Sequence, residues 1–94
     1  MRVRWLRKAL RNLDDEAAFI AADDAAAARV VIERVLDAVA QLSEQPAIGR
    51  PGRVPGTREL IVSRTRYIVP YRVRAETVEI LRVFHTSRRQ PDRW

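Results

Sequence analysis

The chain predicts an α+β fold in which a helical hairpin packs on one face of a small, mainly antiparallel sheet. Three observations carry that prediction. Apolar residues recur at spacings of three and four between positions 6 and 42, the period of helices. From 58 to 85 apolar residues recur in short runs with the alternation of strands. Between the two regions, "PAIGRPGRVPG" at 46–56 holds all three glycines and three of the five prolines, so it reads as a connector rather than as a helix or strand. The 94 residues, 47% hydrophobic and 32% charged, suit one globular domain spanning 1–94.

The elements follow in order. "VRW" at 3–5 is a short first strand. In "LRKALRNLDDEAAFIAAD", Leu6, Leu10, Leu13, Ala17 and Ile20 form one helical face. Asp23 and Asp24 are N-cap candidates for a second helix. Its stripe is Ala28, Val31, Val35, Val39 and Leu42, widened by Ile32 and Leu36. The short link makes the two helices antiparallel neighbours. After the connector come "RELIV", "YIVPYRV" and "VEILRVFH", separated by hairpin-length links. Pro70 cannot donate to a ladder and predicts a strand edge or a bulge. The last strand is largely apolar on both faces, which predicts a central position.

Composition excludes several classes. There is no cysteine and one histidine, so neither disulfides nor a nitrogen- or sulfur-rich metal cage is expected, and no cofactor fingerprint is present. No stretch has the apolar length of a membrane span, and the basic start lacks a signal-peptide pattern; the expectation is a cytoplasmic protein without a membrane partner. The net charge of +6 is uneven: residues 1–47 carry seven basic and eight acidic side chains, whereas 48–94 carry eleven arginines and four acids. A half-chain charge of +7 suits an acidic partner, and a basic nucleic-acid-binding regulator is one class that would use it.

Four stretches in series point further: "PAIGR" at 46–50, "GTREL" at 56–60, "YIVPYRV" at 67–73 and "EILRVFH" at 79–85, with an arginine at 88. The ordered series resembles the RelE/ParE superfamily of toxins from bacterial type II toxin–antitoxin systems, over nearly the whole chain. The resemblance implies a β-α-α-β-β-β fold and an antitoxin whose acidic C-terminal segment wraps the toxin. It also implies growth inhibition, and plasmid stabilisation where such modules reside on plasmids. RelE-like members cut messenger RNA on the ribosome, whereas ParE-like members inhibit DNA gyrase. "RVFHTSR" at 82–88 is closer to the ParE-like ending.

The nuclease alternative makes definite demands. Metal-free RNA cleavage needs a base, an acid and cations for the developing charge. His85 and Glu59 are the candidate acid–base residues, with Arg82 beside them. Arg58, Arg66, Arg72, Arg82, Arg88 and Arg89 are candidates for binding target or antitoxin. RelE-like nucleases carry an arginine within the strand that here reads "YIVPY", where Ile68 stands instead, and their C-terminal tyrosine or paired histidine has no counterpart. Gyrase inhibition is therefore the leading expectation, with ribosome-dependent mRNA cleavage behind it.

Overall fold

The computed structural model describes residues 1–87 and Trp94; Arg88 and Arg89 lie outside the described residues. The elements are β1 (Arg2–Trp5), α1 (Arg7–Ala21), α2 (Ala25–Ala40), β2 (Arg50–Pro51), β3 (Arg58–Ile61), β4 (Tyr67–Arg74), β5 (Thr77–Ile80) and β6 (Phe84–His85). A 3-10 turn at Gln41–Ser43 ends α2. Strand order in the sheet is β1-β5-β4-β3-β2, with β6 also on β4. All pairings are antiparallel except β1 with β5, which run parallel.

Helix starts follow local chemistry. The Asp24 side chain accepts from the Ala27 amide at 3.0 Å, satisfying one of the free donors at the start of α2. No side chain caps α1; instead the Leu6 amide donates to the Ile80 carbonyl at 3.0 Å, so the strand ladder itself sets the helix entry. The buried face of α1 is Ala9, Leu13 and Glu16, with Ile20 partly covered, so Leu10 points outward and is 47% exposed. The face predicted from Leu6 and Leu10 is thus rotated by about one residue. On α2, Ala28, Val35 and Val39 are buried as expected, but Leu36 is exposed.

The helix-facing side of the sheet supplies Leu60, Val62, Tyr67, Val69, Tyr71, Val78 and Ile80, which close on Leu13, Val35, Val39 and Leu42. Fully burying an aliphatic side chain such as Leu42 contributes roughly 1.5–3 kcal/mol. The predicted connector is not wholly irregular: Arg50 and Pro51 pair with Glu59 and Arg58 as a short edge strand.

Pro70 is buried in β4, which has neighbours on both sides, so it does not mark an edge. It marks a bulge. Tyr71 pairs with Ile80, whereas Ile68 pairs with Phe84. Two residues of β4 (69 and 70) thus face three on the returning strand (81–83), the count of a β-bulge. The Leu81 amide donates to the Pro70 carbonyl at 2.9 Å, and the donor that proline lacks falls on this interrupted side. The extra residue reverses which side chains face the helices, so Val83 rejoins the core although Ile80 did so before it. What reads as one alternating strand, 78–85, is two short strands with opposite parity.

Candidate functional site

The reversal decides where the candidate chemistry lies. Glu59 pairs with Pro70 on the sheet face away from the helices. His85 pairs with Tyr67, whose ring belongs to the helix-side core, and meets it edge-on at 5.3 Å. The two side chains therefore lie on opposite faces of the sheet.

Glu59 is 4% exposed and both its oxygens are occupied. Arg50 donates to Oε1 through Nε and Nη2 at 3.1 and 2.9 Å, and the Arg53 amide donates to Oε2 at 3.0 Å. Arg58 turns its guanidinium to the loop, donating to the Gly49 carbonyl at 2.8 Å. The Tyr71 hydroxyl accepts from the Gly49 amide at 2.9 Å and donates to the Pro46 carbonyl at 2.8 Å. Position 49 must be glycine here, because a Cβ would sit 2.6 Å from the Tyr71 ring. "PAIGR" and "GTREL" are thus two halves of one lock that fastens the connector to the sheet.

His85 borders a groove of about 560 Å³ lined by Phe19, Ile20, Val31, Thr65, Arg66, Tyr67 and Ser87. Its Nδ1 accepts from the Ser87 amide at 3.2 Å and lies 2.7 Å from Ser87 Oγ. With Nδ1 as acceptor, the neutral ring carries its proton on Nε2. The Tyr67 hydroxyl donates to buried Glu16 at 2.8 Å, tying the sheet to α1. Arg66 is exposed at the groove rim, and no described hydrogen bond holds its guanidinium.

Arg82 sits within the bulge. Its Nε donates to Asn12 Oδ1 of α1 at 2.8 Å, where the Val83 amide also donates at 3.2 Å. Its guanidinium carbon is 4.6 Å from the Phe84 ring centre, and Phe84 in turn contacts Trp94 at 5.4 Å. Cation–π contact and the Asn12 bond fix this arginine in place.

Arg72 belongs to a third group. Its Nε donates to Glu79 Oε1 at 2.6 Å, and Arg74 Nε lies 3.5 Å from the same oxygen. The Arg72 hydrogen bond holds the Glu79 carboxyl below its usual range, against the opposing effect of burial; the positive charges of Arg74, Arg72 and Arg4 add to it. Arg4 arrives through the parallel pairing of β1, which sets Arg4 beside Glu79 and Arg2 beside Thr77. Neither Arg2 nor Arg4 was a sequence-based candidate. The available signal was "RVRW", in which two arginines alternate with the core-facing Val3 and Trp5.

The structure therefore distributes the candidates over four places rather than one. Glu59 and Arg58 join the loop lock, His85 and Arg66 the groove, Arg82 the bulge, and Arg72 the Glu79 cluster. Among the described residues no three His, Cys, Asp or Glu side chains converge as a metal site would require, and no helix is long and apolar enough to cross a membrane.

Comparison with known proteins adds identity to this geometry. Residues 3–90 match the family described as the ParE toxin of the type II toxin–antitoxin system, parDE. The chain is 48% identical over 90 residues to Y4kP of Sinorhizobium fredii, whose name marks it as a candidate toxin; the match spans 96% of this chain and 93% of that one. Among solved structures, a chain from the chromosomal ParDE toxin–antitoxin system of P. aeruginosa superposes with a TM-score of 0.84 at 28% identity, covering 93% of this chain and 97% of the other. A chain from the RelBE2 toxin–antitoxin complex of Mycobacterium tuberculosis gives 0.64 at 30% identity, covering 89% and 95%.

Proposed function

Because this chain belongs to the ParE toxin family of type II toxin–antitoxin systems, within the RelE/ParE superfamily, we propose that it arrests growth by inhibiting DNA gyrase and is silenced by a cognate antitoxin. The observation that carries the choice of target is the separation of His85 and Glu59 on opposite sheet faces. An acid and a base must reach one scissile phosphate together. Glu59 is also consumed by Arg50 and Arg53, and Arg82 by Asn12. A toxin that acts by docking has no need of such a pair. The closer superposition on the ParDE chain than on the RelBE2 chain, at nearly equal identity, supports the same reading.

The solved relatives come from toxin–antitoxin systems, which motivates the antitoxin as partner. An acidic C-terminal antitoxin segment suits the surplus of arginine after residue 47. Arg66 and the groove beside His85 are the part of the candidate set best placed to meet antitoxin or target, since no described hydrogen bond engages the Arg66 side chain. A gyrase target places the action in the cytoplasm.

The test runs the purified chain in two assays, gyrase supercoiling and cleavage of mRNA on programmed ribosomes. Supercoiling should be inhibited, and His85→Ala should retain inhibition within a few-fold. Ribosome-dependent cleavage that drops by roughly 10²–10⁴-fold in His85→Ala, with supercoiling untouched, would replace this reading with the nuclease one.

A further inference from the structure

We propose that the arginine patch built by β1, β4 and β5 is a sequence-independent contact for the backbone of duplex DNA, a site separate from the groove beside His85. Two rows of side chains share the sheet face away from the helices. One is Arg4–Glu79–Arg72 and the other Arg2–Thr77–Arg74, each set by direct cross-strand pairing. Four arginines surround one carboxylate. Arg72 is spent on Glu79, through its hydrogen bond of 2.6 Å. Arg2 and Arg4 are exposed, and no hydrogen bond or ion pair to a described residue holds either one. Arg74 keeps 66% of its side chain exposed and touches Glu79 only at 3.5 Å. Three cations are therefore available to a ligand; among the described residues the acids near them are Glu79, already held by Arg72, and the exposed Glu76 of the β4–β5 turn, which borders Arg2.

The lining chooses the partner. A protein segment is held by apolar or aromatic anchors in pockets, with charge mainly steering its approach. Apart from its arginines and Glu79, this depression is lined only by Ala75 and Thr77, so it has no pocket for such an anchor. Nor does it offer an aromatic ring on which an unpaired base would stack, which argues against a single strand. Phosphate contact needs only cations and donors. Along a strand, alternate residues are about 6.7 Å apart, and two strand spacings separate the outer arginines of a row by about 9.6 Å. Long side chains so spaced reach phosphates on both sides of the B-form minor groove, about 6 Å wide, more readily than across the wide, shallow minor groove of A-form RNA.

The experiment measures binding of the full chain to a labelled mixed-sequence DNA duplex across salt concentrations. Three phosphate contacts predict a slope of log K against log salt of about −2.7, or about 40-fold weaker binding from 50 to 200 mM salt. The double variant Arg2→Gln, Arg4→Gln should bind more weakly and lose only about three- to fourfold over that range. Arg2→Lys, Arg4→Lys keeps the charge and should keep the slope. Arg29→Gln, on α2, is the control and should change nothing. Circular dichroism establishes that each variant is folded, and Arg74→Gln gives an independent reading from a different strand, with the slope falling by about one. An unchanged slope in both the double variant and Arg74→Gln overturns the proposal. So does a polyglutamate or an RNA duplex that binds as tightly as the DNA with the same sensitivity to the variants. Supercoiling inhibition is a separate readout, and its loss or survival does not bear on this result.

Discussion

Replacing Tyr71 with phenylalanine removes one oxygen and tests the lock that positions the 46–50 loop. The ring is fully buried, and phenylalanine refills its space. What is lost is a pair of hydrogen bonds, the Gly49 amide to the hydroxyl at 2.9 Å and the hydroxyl to the Pro46 carbonyl at 2.8 Å. Gly49 is buried, so its amide is left without a partner, a change that costs about 1–3 kcal/mol. The Pro46 carbonyl is nearer the surface and finds water, so it adds little. The expected loss is about 2 kcal/mol. At 4–8 °C per kcal/mol for a domain of this size, Tm should fall by about 8–16 °C. Thermal unfolding followed by circular dichroism reads that shift. A loss below about 0.5 kcal/mol, the range of ordinary surface substitutions, would refute the lock as a stabilising unit.

The same hydroxyl makes a prediction at high pH. Burial raises the Tyr71 pKa above its ordinary value of 10.0, while the Gly49 amide and the Arg58 charge oppose the rise. A raised folded value means that the neutral hydroxyl stabilises the fold fully below pH 10.0, and that this stability is lost as pH climbs through the folded pKa. Wild type should therefore show an alkaline loss of stability that Tyr71→Phe lacks.

Other substitutions probe other contacts. Glu79 has a depressed folded pKa, so its contribution is present above its ordinary value of 4.5 and disappears as pH falls through the folded one; in acid denaturation Glu79→Gln should flatten that part of the stability curve. Asp24→Ala should cost about 1 kcal/mol in urea unfolding by uncapping α2, and no change would remove the cap from the account. The β4–β5 turn holds Ala75 and Glu76 at φ of 51° and 57°, a conformation unfavourable for both; Glu76→Gly should stabilise by roughly 1 kcal/mol, and a lower Tm would contradict this.

Much of the fold was legible in the chain because local periodicity and burial agreed. Asp24 stands where an N-cap was expected, and the Val35 and Val39 stripe lies in the core. Three features were not legible, each for a physical reason. The buried face of α1 is rotated because the small Ala9, fully buried, takes the core position and leaves Leu10 exposed, a choice that apolar spacing alone does not reveal. The parallel pairing of β1 with β5 joins residues about 75 positions apart, and no local pattern announces a partner at that distance. The bulge at 81–83 was invisible because Leu81, Arg82 and Val83 continue a plausible alternation. Pro70, on the opposite strand, was its only mark, and it was readable as a bulge or as an edge.

These omissions bear on where function resides. The surplus of arginine lies after residue 47, yet of the four candidate arginines there that the structure describes, three serve the fold, as does Arg50. Arg50 is bound to Glu59, Arg58 to the loop carbonyls, Arg72 to Glu79 and Arg82 to Asn12. A guanidinium already hydrogen-bonded must break those contacts before it can bind anything else, so it contributes less to a partner than an exposed one. The arginines left over are set by topology rather than by sequence position. Arg2 and Arg4 belong to the half of the chain with a net negative charge, yet the parallel strand places them beside Arg74. Arg66 stands at the far end of β4, beside the histidine that the bulge turned toward the helices. Strand β4 thus ends in two different surfaces, one strongly basic and one mixed with apolar side chains. A partner that reads charge alone and a partner that needs an apolar anchor would occupy them separately.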